Sequence, residues 1–292
     1  MKGDITINSR QAKYARAFIP NYVFYIPFAY YGVVRMGTLS KFIGFSIYYI
    51  LPTLYYFLYC FGYSLCGILI YLVSLLLLYN LYEVGYIQND TETVQKERQP
   101  SLRLYVYNLR FYYEHRCSIY LTRIFISIIS IILSFLLIYI SNENKGAFFY
   151  IVLCFIELGV FLIYNLIRSN WSLVIFILLQ IIKYVIYAFY FYPEVNFIVI
   201  GMLILVYPVP NIIERFSYKR YNLSLFMNWL PNKNCFTLFR ALYFGILSFS
   251  FILLNIRGIL SFMCYAVFLV IAIFRISLLL LVRKYNFKNY LT

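Results

Sequence analysis

The sequence predicts an all-α integral membrane protein, a bundle of eight or nine transmembrane helices with two long cytoplasmic loops after helices 2 and 6. The first observation behind this prediction is composition: 64% of the 292 residues are hydrophobic and only 12% are charged, too few to cover a water-soluble globule of this size. The second is that the apolar residues form long runs, and a helix needs about 20 of them to cross the hydrocarbon core. We therefore expect a single transmembrane domain over residues 1–292.

Eight runs have the length and composition of a membrane span. They lie near residues 41–60, 62–84, 118–140, 147–167, 171–192, 196–213, 237–256 and 259–282. Polar or turn-forming residues separate neighbouring runs, which is typical of helical hairpins.

A further apolar stretch, residues 18–34, is interrupted by Pro20 and Pro27, which are unusual within a straight span. We expect it to form an amphipathic or re-entrant N-terminal segment within residues 1–40, which leaves 41–284 as the helical bundle. A ninth crossing here would place four N-terminal cations on the outer side, against the positive-inside rule.

The basic residues indicate how the bundle is oriented. The formal net charge is +15, and with both termini cytoplasmic, 21 of the 25 Lys and Arg lie on the cytoplasmic side or at the helix ends that face it. This count assigns Arg123 to the first long loop and Arg240 to the second. We expect a multi-pass protein of the bacterial inner membrane with its active site at the cytoplasmic face. Nucleic acid is not an expected partner, because a basic patch amid so much lipid-facing surface is poorly placed for a duplex.

The first long loop, residues 85–117, begins with acids that no topological rule requires. Four of the ten acidic residues fall within fifteen positions: Glu83, Asp90, Glu92 and Glu97. Asn89 and Asp90 stand at a helix end, and Glu97 follows two turns later on the same helical face. Their oxygens suit Mg²⁺. We predict Asn89, Asp90 and Glu97 as metal ligands, Asp90 and Glu97 as the catalytic residues, and Glu83 as a buried residue supporting them.

Basic side chains accompany these acids. Guanidinium groups bind phosphate oxygens through paired N–H groups. We predict that Lys96, Arg98 and Arg103 bind the phosphate groups of a substrate. The alternative is that they are ordinary solvated cations that follow the positive-inside rule.

The second long loop, residues 214–236, repeats this mixture of acid and base near a helix end. Helical spacing places Glu214, Tyr218 and Tyr221 on one face, and Arg215 and Lys219 on the adjacent one. We predict that three cations bind phosphate, with Glu214 and Tyr218 in support: Arg215, Lys219 and Arg220. The alternative is an exposed cluster of ion pairs.

The segment Asn89-Asp90-x-x-Thr93-x-x-x-Glu97 resembles the first signature of the UbiA superfamily of intramembrane prenyltransferases, Asn-Asp-x-x-Asp-x-x-x-Asp. In that family the first acidic motif follows the second helix and another follows the sixth, where this chain has its long loops. Here Thr93 and Glu97 replace two of the aspartates, and the second loop has no aspartate. Residues 97–103 and 219–223 are also similar to motif segments of the polyprenyl-phosphate phosphoribosyltransferase branch.

The resemblance implies a Mg²⁺-dependent transferase that moves a phosphoribosyl-type group from an activated diphosphate donor to a polyprenyl phosphate, for cell-envelope glycan or glycolipid synthesis. Two alternatives stay open. One is a prenyltransferase that moves the chain of a polyprenyl diphosphate to an aromatic or small acceptor, and the aspartate-free second loop weighs against it. The other is a non-catalytic lipid transporter.

Overall fold

The computed structural model describes residues 19–94, 102–141, 146–167, 169–218, 221, 223–230 and 233–285. Every regular element among these residues is a helix. Within these ranges, seven helical segments are long and apolar enough to cross a membrane, and there are eight if a pair of helices bent by 40° counts as one span. The predicted all-α membrane fold is confirmed.

The part of the chain that the structure describes contains ten helices that we number in chain order. They are α1 (Leu39–Phe61), α2 (Leu65–Thr93), α3 (Val106–Ile140), α4 (Ala147–Leu166), α5 (Ser172–Phe191), α6 (Phe197–Val206), α7 (Pro208–Phe216), α8 (Ser224–Trp229), α9 (Lys233–Ile256) and α10 (Phe262–Tyr285). The bent pair is α6 and α7, which meet at Tyr207 and Pro208. Each of the eight predicted runs corresponds to one of the long helices or to this pair.

The first long loop is shorter than predicted, because both flanking helices extend into it. Helix α2 continues through a π-helical turn, Asn89–Thr93, and α3 begins at Val106. Polar side chains continue a membrane helix where they find partners within the protein. Here the Thr91 hydroxyl donates to the Ile87 carbonyl at 2.7 Å, and Asp90 is almost fully buried.

The second long loop also differs from the prediction. Helix α7 ends at Phe216, and the short helix α8 occupies part of the connection to α9. The predicted common helical face of Glu214, Tyr218 and Tyr221 is therefore wrong, since the helix ends before its second member.

The helices group into two compact units that do not follow chain order. The first unit contains the described residues of Met1–Phe42 and Leu69–Ile175. The second contains those of Ile43–Ile68 and Phe176–Thr292. Most of α1, although early in the sequence, therefore packs with the later helices.

In the first unit, the N-terminal segment 19–38 packs against α2 and α3. It contains a four-residue 3-10 helix, Asn21–Phe24, and a six-residue π-helix, Tyr31–Met36, and neither has the length of a span. Between them the chain turns at Phe28, whose φ of +67° is strained for a side chain of this size. The ring of Phe28 stacks on Tyr79 of α2, with centroids 4.8 Å apart.

Helix α4 approaches α2 closely one turn before Asp90. The Asn165 side chain donates to the Gly85 carbonyl at 2.8 Å. A Cβ atom at Gly85 would lie 2.5 Å from the Phe161 ring, so only glycine permits this approach without a shift of the ring.

In the second unit, tyrosine hydroxyls of α1 form hydrogen bonds to backbone carbonyls at the start of α10. Tyr56 donates to the Cys264 carbonyl at 2.7 Å, and Tyr55 donates to the Met263 carbonyl at 2.6 Å. Helices α9 and α10 pack along their length as a hairpin. Aromatic side chains, including Phe244, Phe251 and Phe268, fill the space between them.

We predict that Gly85→Ala lowers the free energy of unfolding by about 1–3 kcal/mol, because the added methyl group must displace the buried Phe161 ring. The measurement is unfolding in detergent micelles. Gly159→Ala on α4 is the matched control. Apart from the local backbone of α4 itself, no atom lies within 4 Å of its Cβ position, so only helix propensity changes, and we expect the free energy of unfolding to be unchanged or slightly raised. Equal losses in both variants would contradict a close contact at Gly85.

Candidate functional site

Asp90 lies in the π-helical turn at the end of α2 and is 3% exposed. Its Oδ1 accepts a hydrogen bond from Nη2 of Arg35 at 2.6 Å, and Nη1 of Arg103 lies 3.5 Å from the same oxygen. Its Oδ2 accepts from the Tyr30 hydroxyl at 3.0 Å. Residues from the N-terminal segment and from the connection before α3 thus converge on one buried carboxylate. We call Tyr30, Arg35, Asp90 and Arg103 the Asp90 cluster.

Arg35 is held on two sides. Its guanidinium carbon lies 4.2 Å from the centroid of the Tyr86 ring, and its other contact is the Asp90 carboxylate. Burial lowers the pKa of Arg35, but the charge and hydrogen bond of Asp90 outweigh this and raise it overall, so the side chain stays cationic. Its Nε is buried and has no hydrogen-bond partner among the described residues.

Tyr30 acts as a fixed donor in the cluster. Burial, followed by the charge of Asp90, raises the pKa of its hydroxyl well above the usual value. The hydroxyl therefore keeps its proton at any physiological pH and continues to donate to Asp90.

The charges of the cluster do not balance. Two guanidinium groups face one carboxylate, which leaves one positive charge in excess among the described residues. The Arg103 side chain is 38% exposed, so part of its guanidinium is free to reach a ligand. An excess of guanidinium at the polar end of a membrane helix is suited to binding a phosphate.

Asn89 uses its side chain within the turn. Its amide nitrogen lies 3.3 Å from Oδ1 of Asp90, and its Oδ1 accepts from the Thr93 hydroxyl at 3.1 Å. Thr93 occupies the position of the second aspartate in the UbiA signature. Here its hydroxyl also donates to the Asn89 carbonyl and so closes the helical turn.

The described residues do not fit a resident Mg²⁺ ion by themselves. Their oxygens are of the right type, but those of Asp90 and Asn89 already accept hydrogen bonds. Among the described residues there is no group of three or more His, Cys, Asp or Glu side chains placed to hold a metal. The third predicted ligand, Glu97, lies outside the described residues, as do four of the predicted phosphate-binding cations: Lys96, Arg98, Lys219 and Arg220.

Glu83 supports the cluster by a different route from the one predicted. It is fully buried, and its carboxylate accepts from Nη1 of Arg123 at 2.8 Å and from the backbone N–H of Tyr31 at 2.6 Å. It therefore contacts the N-terminal segment rather than Asp90. Because Tyr31 adjoins Tyr30, this contact positions the tyrosine that donates to Asp90.

Arg123 was assigned to the first loop from its sequence position, and this assignment is wrong. The residue lies within α3 and is 1% exposed. Besides Glu83 it donates to Oδ1 of Asn80 and to three backbone carbonyls of the N-terminal segment, those of Val23, Phe24 and Ile26. The Ile26 carbonyl also accepts from the Ala29 N–H at 3.2 Å, so the guanidinium adds to the hydrogen bonds of an irregular segment that has few helical ones.

A pattern in the sequence could have identified Arg123. Ser127, Ser130 and Ser134 follow it at spacings of four, three and four residues, which places all of these side chains on one face of α3, and all are buried. A polar stripe along an otherwise apolar membrane helix faces protein rather than lipid. Arg35 has no comparable local signal.

In the second unit, Glu214 is buried near the end of α7 and both of its oxygens accept from Arg240 of α9, through Nε and Nη2. Arg240 is therefore not a loop cation as predicted. Arg215 lies among aromatic rings: its guanidinium carbon is 4.8 Å from the centroid of Phe176 and 5.1 Å from that of Tyr218. The predicted supporting residue Tyr218 thus contacts Arg215 and is itself exposed.

No protein-family model, no curated protein and no solved structure matches the chain.

We predict that Arg123→Ala lowers the free energy of unfolding by about 3–5 kcal/mol, because it leaves the fully buried Glu83 without its counter-ion. Unfolding in mixed micelles measures the change. Arg116→Ala on the same helix is the control. That side chain is 55% exposed and pairs with Glu92, so its loss costs at most about 1 kcal/mol. If the two variants lose the same stability, the buried pair does not hold the N-terminal segment in place.

Proposed function

We propose that the protein is a membrane transferase that acts on a polyprenyl phosphate and binds its phosphate group at Arg35 and Arg103. The observation that carries the proposal is the excess positive charge of the Asp90 cluster. Asp90 orients both guanidinium groups, while the spare donors of Arg103 and Arg35 remain for a ligand. A phosphate monoester carries a charge of about −1.5 to −2 at pH 7 and presents three acceptor oxygens, which suits such a cluster.

The location of the cluster also favours a lipid phosphate. It stands at the polar end of α2, one of the helices long and apolar enough to span a membrane. A ligand with a phosphate at the end of a long apolar chain can place its phosphate at this level and its chain beside the spans. As part of the proposal, the membrane is a bacterial inner membrane and the cluster lies at its cytoplasmic face. The choice of side rests on the positive-inside rule.

The proposed reaction is transfer of a phosphoribosyl-type group, as the family resemblance implies. An oxygen of the polyprenyl phosphate attacks the anomeric carbon of a phosphoribosyl diphosphate, and a new carbon–oxygen bond forms. The bond from that carbon to the diphosphate breaks, and the diphosphate leaves with the electron pair. The protein needs no covalent nucleophile for this displacement. The role of Arg35 and Arg103 is to hold the phosphate and stabilise negative charge.

Mg²⁺ belongs to the proposal only through Glu97, whose placement the structure does not describe. When bound, the ion would neutralise charge on the donor diphosphate. The reaction is therefore to be measured both with Mg²⁺ and with a chelator.

We predict that purified protein incubated with radiolabelled phosphoribosyl diphosphate, polyprenyl phosphate and Mg²⁺ produces labelled lipid. Product that forms only from polyprenyl diphosphate and an aromatic acid would replace this proposal with prenyl transfer. Binding of polyprenyl phosphate without any product would indicate a lipid carrier instead.

We predict that Arg103→Ala raises the KM for polyprenyl phosphate about tenfold or more, because a charge-assisted hydrogen bond to phosphate is lost. Arg110→Ala is the control, since Arg110 is an exposed cation in the first turns of α3. If KM rises equally in both variants, the effect comes from general surface charge rather than from the Asp90 cluster.

We predict that Asp90→Asn reduces turnover at least about tenfold while the bundle stays folded, because the amide no longer holds both guanidinium groups in place. Glu92→Gln provides the comparison, as Glu92 lies in the same π-helical turn but contacts Tyr112 and Arg116 instead. Normal turnover by Asp90→Asn would show that Asp90 is not part of the functional site.

A further inference from the structure

The second unit contains a buried arginine that has no counter-ion among the described residues. Arg275 lies within the membrane-spanning part of α10 and is 7% exposed. No ion pair joins it to any carboxylate of the described residues, and its Nε has no hydrogen-bond partner among them. A buried charge within a span is costly, and such residues normally face a partner or a ligand.

The sequence shows that carboxylates are scarce in this unit. The stretches Ile43–Ile68 and Phe176–Thr292 contain eleven basic residues and only two acidic ones, Glu194 and Glu214. Glu214 is occupied by Arg240, and Glu194 is exposed in the turn before α6. No acidic side chain of the unit is therefore available to neutralise Arg275.

Tyr48 of α1 connects the two arginines. The guanidinium carbon of Arg275 lies 4.4 Å from the centroid of the Tyr48 ring, and that of Arg240 lies 6.0 Å from the same centroid. The Tyr48 side chain is itself buried, and its hydroxyl has no hydrogen-bond partner among the described residues. The rings of Tyr207 and Phe244 pack beside it, with centroids 5.9 Å from that of Tyr48.

Three observations thus indicate which chemical groups a ligand of this site would have to supply. Arg275 requires a negative charge, its Nε requires an acceptor, and the Tyr48 hydroxyl offers a donor. The Arg275 and Tyr48 side chains are both buried, and burial strengthens any electrostatic attraction between them and a ligand. One ligand class satisfies all three: an oxyanion with several acceptor oxygens.

We propose that Arg275, Tyr48 and Arg240 form a binding site for a phosphate-type oxyanion within the second unit. Arg275 supplies the main charge, the Tyr48 hydroxyl donates one hydrogen bond, and Arg240 adds long-range attraction while it stays paired with Glu214. The site takes a phosphate ester, either as the headgroup of an anionic membrane lipid or as a water-soluble phosphate. It does not depend on the transferase activity proposed for the Asp90 cluster.

Binding to the full-length purified protein tests the site and separates the two sources. One arm measures thermal stabilisation in neutral detergent on addition of inorganic phosphate or diphosphate. The other compares nanodiscs of phosphatidylcholine with nanodiscs that also contain phosphatidylglycerol. Stabilisation in the first arm identifies a soluble phosphate, and stabilisation in the second arm alone identifies a lipid headgroup.

Arg275→Met and Tyr48→Phe show whether the stabilisation arises at this site. We expect Tyr48→Phe to weaken binding of the effective probe by about fivefold to tenfold, since it removes one donor and keeps the ring. We expect Arg275→Met to melt at a higher temperature than wild type in neutral detergent without phosphate, because methionine carries no buried charge, and to gain nothing from the probe. Arg257→Met, at an exposed cation after α9, should bind as wild type does.

The proposal is overturned if neither probe stabilises the wild-type protein. It is also overturned if Tyr48→Phe and Arg275→Met respond to the probe as wild type does, or if Arg257→Met loses as much of the response as they do. Should Arg275→Met fail to fold, Tyr48→Phe alone decides, because loss of a hydroxyl leaves the packing of the ring intact.

Discussion

The buried ion pair between Arg123 and Glu83 is the interaction on which the first unit depends. An irregular N-terminal segment leaves backbone carbonyls that a membrane environment would not satisfy. Arg123 donates to three carbonyls of this segment and is neutralised by Glu83, which in turn accepts from the backbone N–H of Tyr31. The same pair therefore fixes the segment that carries Tyr30 and Arg35, and the Asp90 cluster can form only once the segment is in place.

Among the described residues, the ion pairs of the buried acids Asp90, Glu83 and Glu214 are all made with arginine, and the reason is chemical. A guanidinium presents five donors in a plane, so it can satisfy several acceptors at once and remains charged when buried. Arg123 uses this capacity on carbonyl groups, Arg240 on both oxygens of Glu214, and Arg35 on Asp90. In the Asp90 cluster two guanidinium groups face one carboxylate, and in the second unit Arg275 and Arg240 both lie near the Tyr48 ring, where Glu214 pairs with Arg240. This local surplus of positive charge is the basis of both proposed anion sites.

Charge counting along the chain predicts an orientation for the bundle, but it misjudged individual residues. It treated Arg123 and Arg240 as loop cations on the cytoplasmic side, whereas both lie within helices and bind carboxylates. The positive-inside rule concerns numbers of charges near span ends and carries no information on what a particular side chain contacts. The boundaries of the two polar loops were misplaced for a related reason: helices α2 and α3 continue through polar residues whose partners come from elsewhere in the fold.

The sequence by itself determined the membrane-spanning helices and singled out Asp90 as an unusual acid, because apolar run length and local composition can be read within a window of about 20 residues. Only the tertiary structure decided which charged side chains pair with each other. Arg35 and Asp90 are 55 positions apart, Glu83 and Arg123 are 40 apart, and Glu214 and Arg240 are 26 apart. Such pairs depend on how separate elements pack, and no local periodicity encodes that. The polar stripe of α3 indicated that one face of the helix is buried, but not which carboxylate would meet it.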